Sequence, residues 1–301
     1  MASKRWLAGL VLALLTPAAQ ATLNVFACEP EWGDLTRSLM PEADITVATT
    51  AWQDPHYVEA RPSLIAAVRR ADLVVCSGAS LEVGWLPALL QKSANRAVQK
   101  GEPGLFYATE QVTLHQPHDH VDRSMGDVHP EGDPHVHLDP DAVPVITEAL
   151  ARRMQQLAPD RAASIQRAYL SWRVNWNLQR DQWQQAAQPL EGLQLVVQHT
   201  SFDYLLRWLG VEAVIDLEPK PGLPPSASHL SKVLGHDRLA DAEGILVASY
   251  QDDRPARWLS EQSGLPVLAL PATVTDDAPT RTLPDLISHI IAQLESLPDG
   301  S

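Results

Sequence analysis

Eight short apolar runs rich in β-branched residues recur along this chain. Four lie before residue 110 and four after residue 190, with helix-like stretches between them. The first set is Leu23–Ala27, Asp44–Ala48, Leu73–Cys76 and Leu105–Tyr107; the second is Leu193–Gln198, Ala213–Leu217, Ile245–Ala248 and Val267–Leu270. Continuous apolar runs of this length are the mark of strands buried on both faces, and their alternation with helices argues for α/β architecture. The expected fold is therefore two lobes, each with a four-stranded, mainly parallel sheet flanked by helices.

The long gap between the two sets is equally constraining. Residues 141–188 are poor in Gly and carry Pro only at 144 and 159. Residues 160–188 read as one helix of about eight turns. Trp172, Trp176 and Trp183 fall at i, i+4 and i+11 on one face of it. That stripe reads as packing against the lobes, with ligand stacking the alternative, and the helix as a stiff strut. The expected organisation is an N-terminal lobe over 22–158, a connecting helix over 159–189 and a C-terminal lobe over 190–301.

Residues 1–21 have the three parts of a secretory signal peptide: Lys4-Arg5, an apolar run from Trp6 to Leu15, and Ala19-Gln20-Ala21 before the cut. The apolar run is too short to span a bilayer, which takes about 20 residues. Cleavage there removes two positive charges and no acid, moving the formal net charge from −14 to −16. So acidic a chain excludes nucleic acid and anionic membrane surfaces as partners and suits a cationic ligand. Export also permits Cys28 and Cys76 to pair. Cys28 follows the first strand and Cys76 ends the third, and in a doubly wound lobe those carboxyl ends lie side by side. A disulfide is expected there, with two buried thiols the alternative.

Open α/β sheets bind ligands beyond the carboxyl ends of their strands. Three histidines pass that filter: His56 after the second strand, His135 in the segment after the fourth, and His199 at the end of the fifth. Two of them stand in an Asp-Pro-His tripeptide, in which Pro stiffens the backbone and Asp54 or Asp133 is placed to orient the ring. Three imidazoles converging between two lobes make a zinc-like set; three unrelated loop histidines are the plain alternative. His229, His236 and His289 fall on helix-like stretches and read as half-buried helix residues. Phosphate-loop, nucleophile-elbow and H-E-x-x-H signatures are absent.

The segments DPHYVEARPSLIAAVRRADLVVCSG, LEVGWLPALL, DPHVHLDP, VVQHTSFDYLLRWLG and LEPKPGLPPSASHLSKVL, in that order, resemble the zinc- and manganese-binding periplasmic components of ABC transporters, especially their zinc-uptake branch. The resemblance covers nearly all of the chain after residue 21. It implies two α/β lobes joined by a long rigid helix, with metal held in the cleft between them. It places the first three ligands on His56, His135 and His199. The ligand directly follows Asp-Pro, which selects His135 over His137 and leaves His137 as a cleft-lining residue.

The fourth ligand departs from the pattern. Zinc-uptake relatives carry an Asp at the end of the last strand, where this chain has Pro271. Asp276 or a water is the expected replacement, with Asp277, Glu59 and Glu218 as further candidates. The resemblance also marks residues 115–132 as a His-rich loop, read as mobile, whose His115, His118, His120 and His129 would gather metal at a weak accessory site, with a plain solvated loop the alternative. The implied function is capture of Zn²⁺ in the periplasm by a monomeric, non-enzymatic protein that hands it to the membrane permease of an ABC importer. A manganese or iron carrier, a zinc chaperone and, least of all, a zinc enzyme are the alternatives.

Overall fold

The computed structural model describes residues 22–122 and 125–298, so the leader expected over 1–21 lies outside the described residues. Strands β1 (Asn24–Ala27), β2 (Asp44–Val47), β3 (Leu73–Cys76) and β4 (Leu105–Tyr107) form one sheet in the order β2-β1-β3-β4. Strands β5 (Gln194–Val197), β6 (Glu212–Asp216), β7 (Gly244–Ala248) and β8 (Val267–Leu270) form a second in the order β6-β5-β7-β8. Every pairing is parallel, and the two sheets repeat one topology. Each strand lies within about a residue of its apolar run; the central β3 and β7 are buried throughout, as strands covered on both faces are, while the edge strands β2, β6 and β8 are partly exposed. In each sheet the chain reverses direction of progress beside its first strand, which opens a crevice at the carboxyl ends of β1 and β5.

Helices α1 (Pro30–Leu39), α2 (Pro62–Arg70), α3 (Leu86–Ser93) and α4 (Ala142–Leu157) accompany the first sheet. Helices α6 (Asp203–Leu209), α7 (Ala227–Leu234) and α8 (Arg254–Ser263) accompany the second. Proline opens α1, α2, α3 and α8, where its fixed φ suits the first turn and its missing N–H leaves no bond unmade. Between the sheets runs α5 (Ala162–Ala186), 25 residues long and two residues shorter at each end than the sequence suggests. Its flanks, Pro159–Arg161 and Gln188–Leu190, tighten into 3₁₀ turns, as Pro159 and Pro189 cannot sit inside an α-helix.

The tryptophan face of α5 packs rather than stacks on a ligand. Trp176 and Trp183 are buried. The Trp176 indole donates to the carbonyl of Pro140 at 2.9 Å, and that of Trp183 to Ser288 Oγ at 2.8 Å. Ser288 belongs to α9 (Leu283–Glu295), which lies against α5 and also reaches α1. One apolar cluster consequently runs from Val25 and Trp32 through Trp176, Trp183 and Ile290 to Leu195 and Leu206. Smaller clusters back the other face of each sheet, around Phe26 and Leu89 in the first and Ile245 and Leu259 in the second.

Cys28 and Cys76 are joined in a buried disulfide, which ties the ends of the neighbouring strands β1 and β3. Among the described residues no helix is long and apolar enough to cross a membrane.

Candidate metal centre

The two Asp-Pro-His tripeptides fold alike. Asp54 Oδ1 accepts both the backbone N–H of His56 at 2.9 Å and its Nδ1 at 2.7 Å. Asp133 Oδ1 does the same for His135, at 2.9 and 2.6 Å. One carboxylate oxygen thus fixes a turn and a ring together. Pro55 is locked further, its carbonyl accepting from the Trp85 indole at 2.8 Å. The third histidine, His199, leaves the end of β5, and its Nδ1 meets Glu218 Oε2 at 2.9 Å. Glu218 is itself held by backbone N–H donation from Gly222 at 2.7 Å.

The three rings lie together across the two lobes. His199 stands edge-on to His56 and to His135, with ring centroids 6.4 and 5.9 Å away. His135 and His199 are 5% and 7% exposed, so their charge states are set by neighbours rather than by water. Burial drives the His135 imidazole below its ordinary value, and the Asp133 carboxylate only partly offsets it. At His199 burial pushes the same way, but the hydrogen bond and charge of Glu218 outweigh it and hold the ring above its ordinary value. Burial would raise the Asp54 and Asp133 carboxyls, yet the adjoining histidines pull both below their usual range. A cavity of about 250 Å³ opens beside His56 and His199, lined also by Asp54, Asp127, Glu218 and Asp252. Its acidic walls suit a cation approaching the imidazoles.

The His-rich loop divides in the structure. His118 and His120 are exposed. His115 stacks on Tyr204, with ring centroids 4.4 Å apart and planes inclined by 20°. His129, by contrast, turns into the cleft and stacks on His56, ring centroids 5.2 Å apart, with its Nε2 3.2 Å from His56 Nε2. Its Nδ1 is taken by the carbonyl of Ala79 at 2.9 Å. Burial, reinforced by the neighbouring His56 and His135, pushes the His129 imidazole down to about 3. The segment that carries it is anchored rather than loose: Asp127 accepts from Tyr57 Oη at 2.9 Å and donates its N–H to Pro221 O at 2.8 Å.

His137 faces elsewhere. Its Nε2 donates to Ala272 O across the cleft at 2.8 Å, and Nδ1 lies 3.4 Å from Glu31. Asp276 is exposed, accepts from Arg281 through its backbone carbonyl, and lines none of the three cavities at the histidines. His229 lies on α7 and His289 on α9, whereas His236 lies beyond α7 and accepts from Arg238 N–H at 3.2 Å. The rings surround a space rather than closing on a point. Among the described residues the only three or more ligand atoms of His, Cys, Asp or Glu within 4.8 Å of one another belong to Cys28, Cys76 and Glu82. Both sulfurs there are spent in the disulfide.

The family of ZnuA, the periplasmic zinc-uptake complex component A, matches the chain over residues 25–297. The chain belongs to this family. ZnuA-family proteins are substrate-binding components of uptake systems, not enzymes. The high-affinity zinc uptake system protein ZnuA of Bacillus subtilis is 22% identical over 227 residues, 74% of this chain and 69% of that protein. A manganese ABC transporter substrate-binding lipoprotein of Streptococcus gordonii is 22% identical over 272 residues, 84% of this chain and 81% of its own. The match to the zinc-binding lipoprotein AdcA of Streptococcus pneumoniae, 22% identical over 74% of this chain, spans less than half of that protein, 44%. A crystal structure of ZnuA superposes with a TM-score of 0.77 at 19% identity, covering 92% of this chain and all of that one. The manganese complex of FpvC from Pseudomonas aeruginosa superposes at 0.76 with 17% identity, covering 93% of this chain. These likenesses show the ZnuA fold; relatives named for zinc and for manganese share it.

Proposed function

We propose that this protein captures Zn²⁺ in the periplasm, after removal of a leader at about Ala21, and delivers it as a monomer to the permease of an ABC-type importer. The observation that carries the reading is the orientation of His56, His135 and His199. Each ring spends Nδ1 on a carboxylate, so the neutral tautomer leaves the Nε2 lone pair for a metal, the arrangement that raises a ligand's basicity and fixes its direction. The rings come from both lobes, so a bound ion would join them. Imidazole-rich sets suit zinc, whereas manganese takes more carboxylate. Asp276 contributes nothing to this set from where it stands.

Equilibrium dialysis with metal analysis tests the reading on the parent protein and on His56→Ala/His135→Ala/His199→Ala. The parent should hold one zinc per chain, retained against equimolar Mn²⁺, and the triple variant none. Undiminished tight binding by the triple variant would sink the proposal. Retention of Mn²⁺ in preference to Zn²⁺ would replace the cargo and leave the site.

A further inference from the structure

We infer that the His-rich loop supplies the fourth ligand: His129 Nε2 joins His56, His135 and His199 in an all-imidazole set for the transported ion. The inference rests on the cleft being the cargo site.

It follows first from the proton positions. His56 Nδ1 faces Asp54 Oδ1, and His129 Nδ1 faces the Ala79 carbonyl, at 2.7 and 2.9 Å. A carboxylate and a carbonyl only accept, so each neutral ring must carry its proton on Nδ1. Two bare Nε2 lone pairs are then pointed at each other across 3.2 Å. That contact is repulsive unless a proton or a metal ion lies between the nitrogens, and a metal displaces the proton. Its length is also informative. Four nitrogens at the usual zinc distance of about 2.0–2.1 Å stand about 3.4 Å apart along each edge of a tetrahedron. The His56–His129 pair already has nearly that spacing, whereas His135 and His199 must move inward on binding, because among the described residues no third imidazole nitrogen lies within 4.8 Å of both.

The loop is also built to hold His129 there. Asp127, two residues before it, clasps Tyr57 on one lobe and Pro221 on the other. The clasp admits no side chain at its contact points: a Cβ on Gly126 would lie 2.3 Å from Pro221 O, and one on Gly222 would lie 2.1 Å from Asp127 Oδ2. Both glycines have positive φ, 87° and 73°, which other residues adopt only with strain. Beyond His129, Ser80 Oγ donates to Glu131 at 3.0 Å. The ring is thereby fixed from both sides along the chain and through its own Nδ1. The result is a donor set without a carboxylate, filling by a loop the place left by Pro271 and selecting against manganese.

Extended X-ray absorption at the zinc edge of the loaded parent protein should show four imidazole nitrogens and no oxygen; three nitrogens with one oxygen would overturn the inference. Competition with a chromophoric chelator gives the second readout. His129→Ala should keep one site per chain but weaken it by at least on the order of 10–100-fold, the loss that even outer partners of a ligand cause. Asp119→Ala, on the exposed part of the same loop, should bind as the parent does, and an equal loss there would overturn the specific role of His129. Unchanged affinity in His129→Ala, with binding abolished in the triple variant, would overturn the fourth ligand and leave the cleft as the site. Undiminished binding by the triple variant would instead remove the cargo site on which both rest.

Discussion

Asp34 on α1 is a buried carboxyl, 7% exposed, whose Oδ2 accepts the first backbone N–H of α9 from Leu283 at 2.9 Å. Burial pushes it up to about 6, with the Leu283 hydrogen bond and Arg37 opposing and Asp285 adding to the rise. A carboxyl raised on folding stabilises the fold fully below its unfolded value near 3.8, and the contribution fades as pH climbs through the folded value. The window is therefore pH 4–6, and the loss is on the order of 2–3 kcal/mol. Asn in its place keeps an acceptor for Leu283 and never ionises. Asp34→Asn should therefore match the parent near pH 4 and exceed it by roughly 2 kcal/mol at pH 7.5, measured by urea unfolding at both values. Glu82 and Asp216 are also raised, to about 7 and about 6, so the difference between the two proteins isolates Asp34, not the slope of either. A pH-independent difference would show that Asp34 is ionised in the fold. At this scale the sequence is readable where a residue's role is local. Asp54 and Asp133 act two positions along the chain, but His129 is placed by Ala79, Tyr57 and Pro221, and no local pattern announces such distant partners. Asp276 shows the converse: the chain turns after Ala272 so that Thr273 meets Glu31 on α1, and Asp276 is carried outward.

Elements were legible because each rests on a pattern its own residues complete. The eight strands follow from short, mainly apolar runs, and α5 from a stretch that offers no breaker between Pro159 and Pro189. What the pattern does not carry is the partner of each face. The Trp stripe marks a packed side of α5, yet α9 as one of its partners comes only from the fold, through Ser288. Trp176 is the centre of that side, 1% exposed and bonded to Pro140. Trp176→Ala should cost about 3–5 kcal/mol, the range for truncating a fully buried aromatic. Chemical denaturation reads that loss, while zinc affinity should stay at the parent value because the ring lies on the strut and touches no histidine of the cleft. A loss under about 1 kcal/mol would mean that the strut is held by its ends rather than by this face.

At the scale of the whole molecule the two sheets could in principle melt separately, since each has its own cluster on its outer face. The largest cluster argues otherwise, because it is continuous from Trp32 beside the first sheet to Leu206 beside the second, with α5 and α9 inside it. Exposing one lobe strips apolar cover from the other, which makes partial unfolding costly and the transition cooperative. A ligand shared by both lobes then acts on that one transition. Zinc at a free concentration of 100 times its Kd should add about 2.7 kcal/mol. For a chain of this size that is a rise of roughly 4–5 °C in Tm. Calorimetry should show one peak in the metal-free protein and one peak, shifted whole, in the loaded protein, with no shift in the triple histidine variant. Two peaks of which zinc moves only one would separate the lobes. It would also place the ion on a single lobe, against the arrangement in which His199 faces His56 and His135 across the cleft.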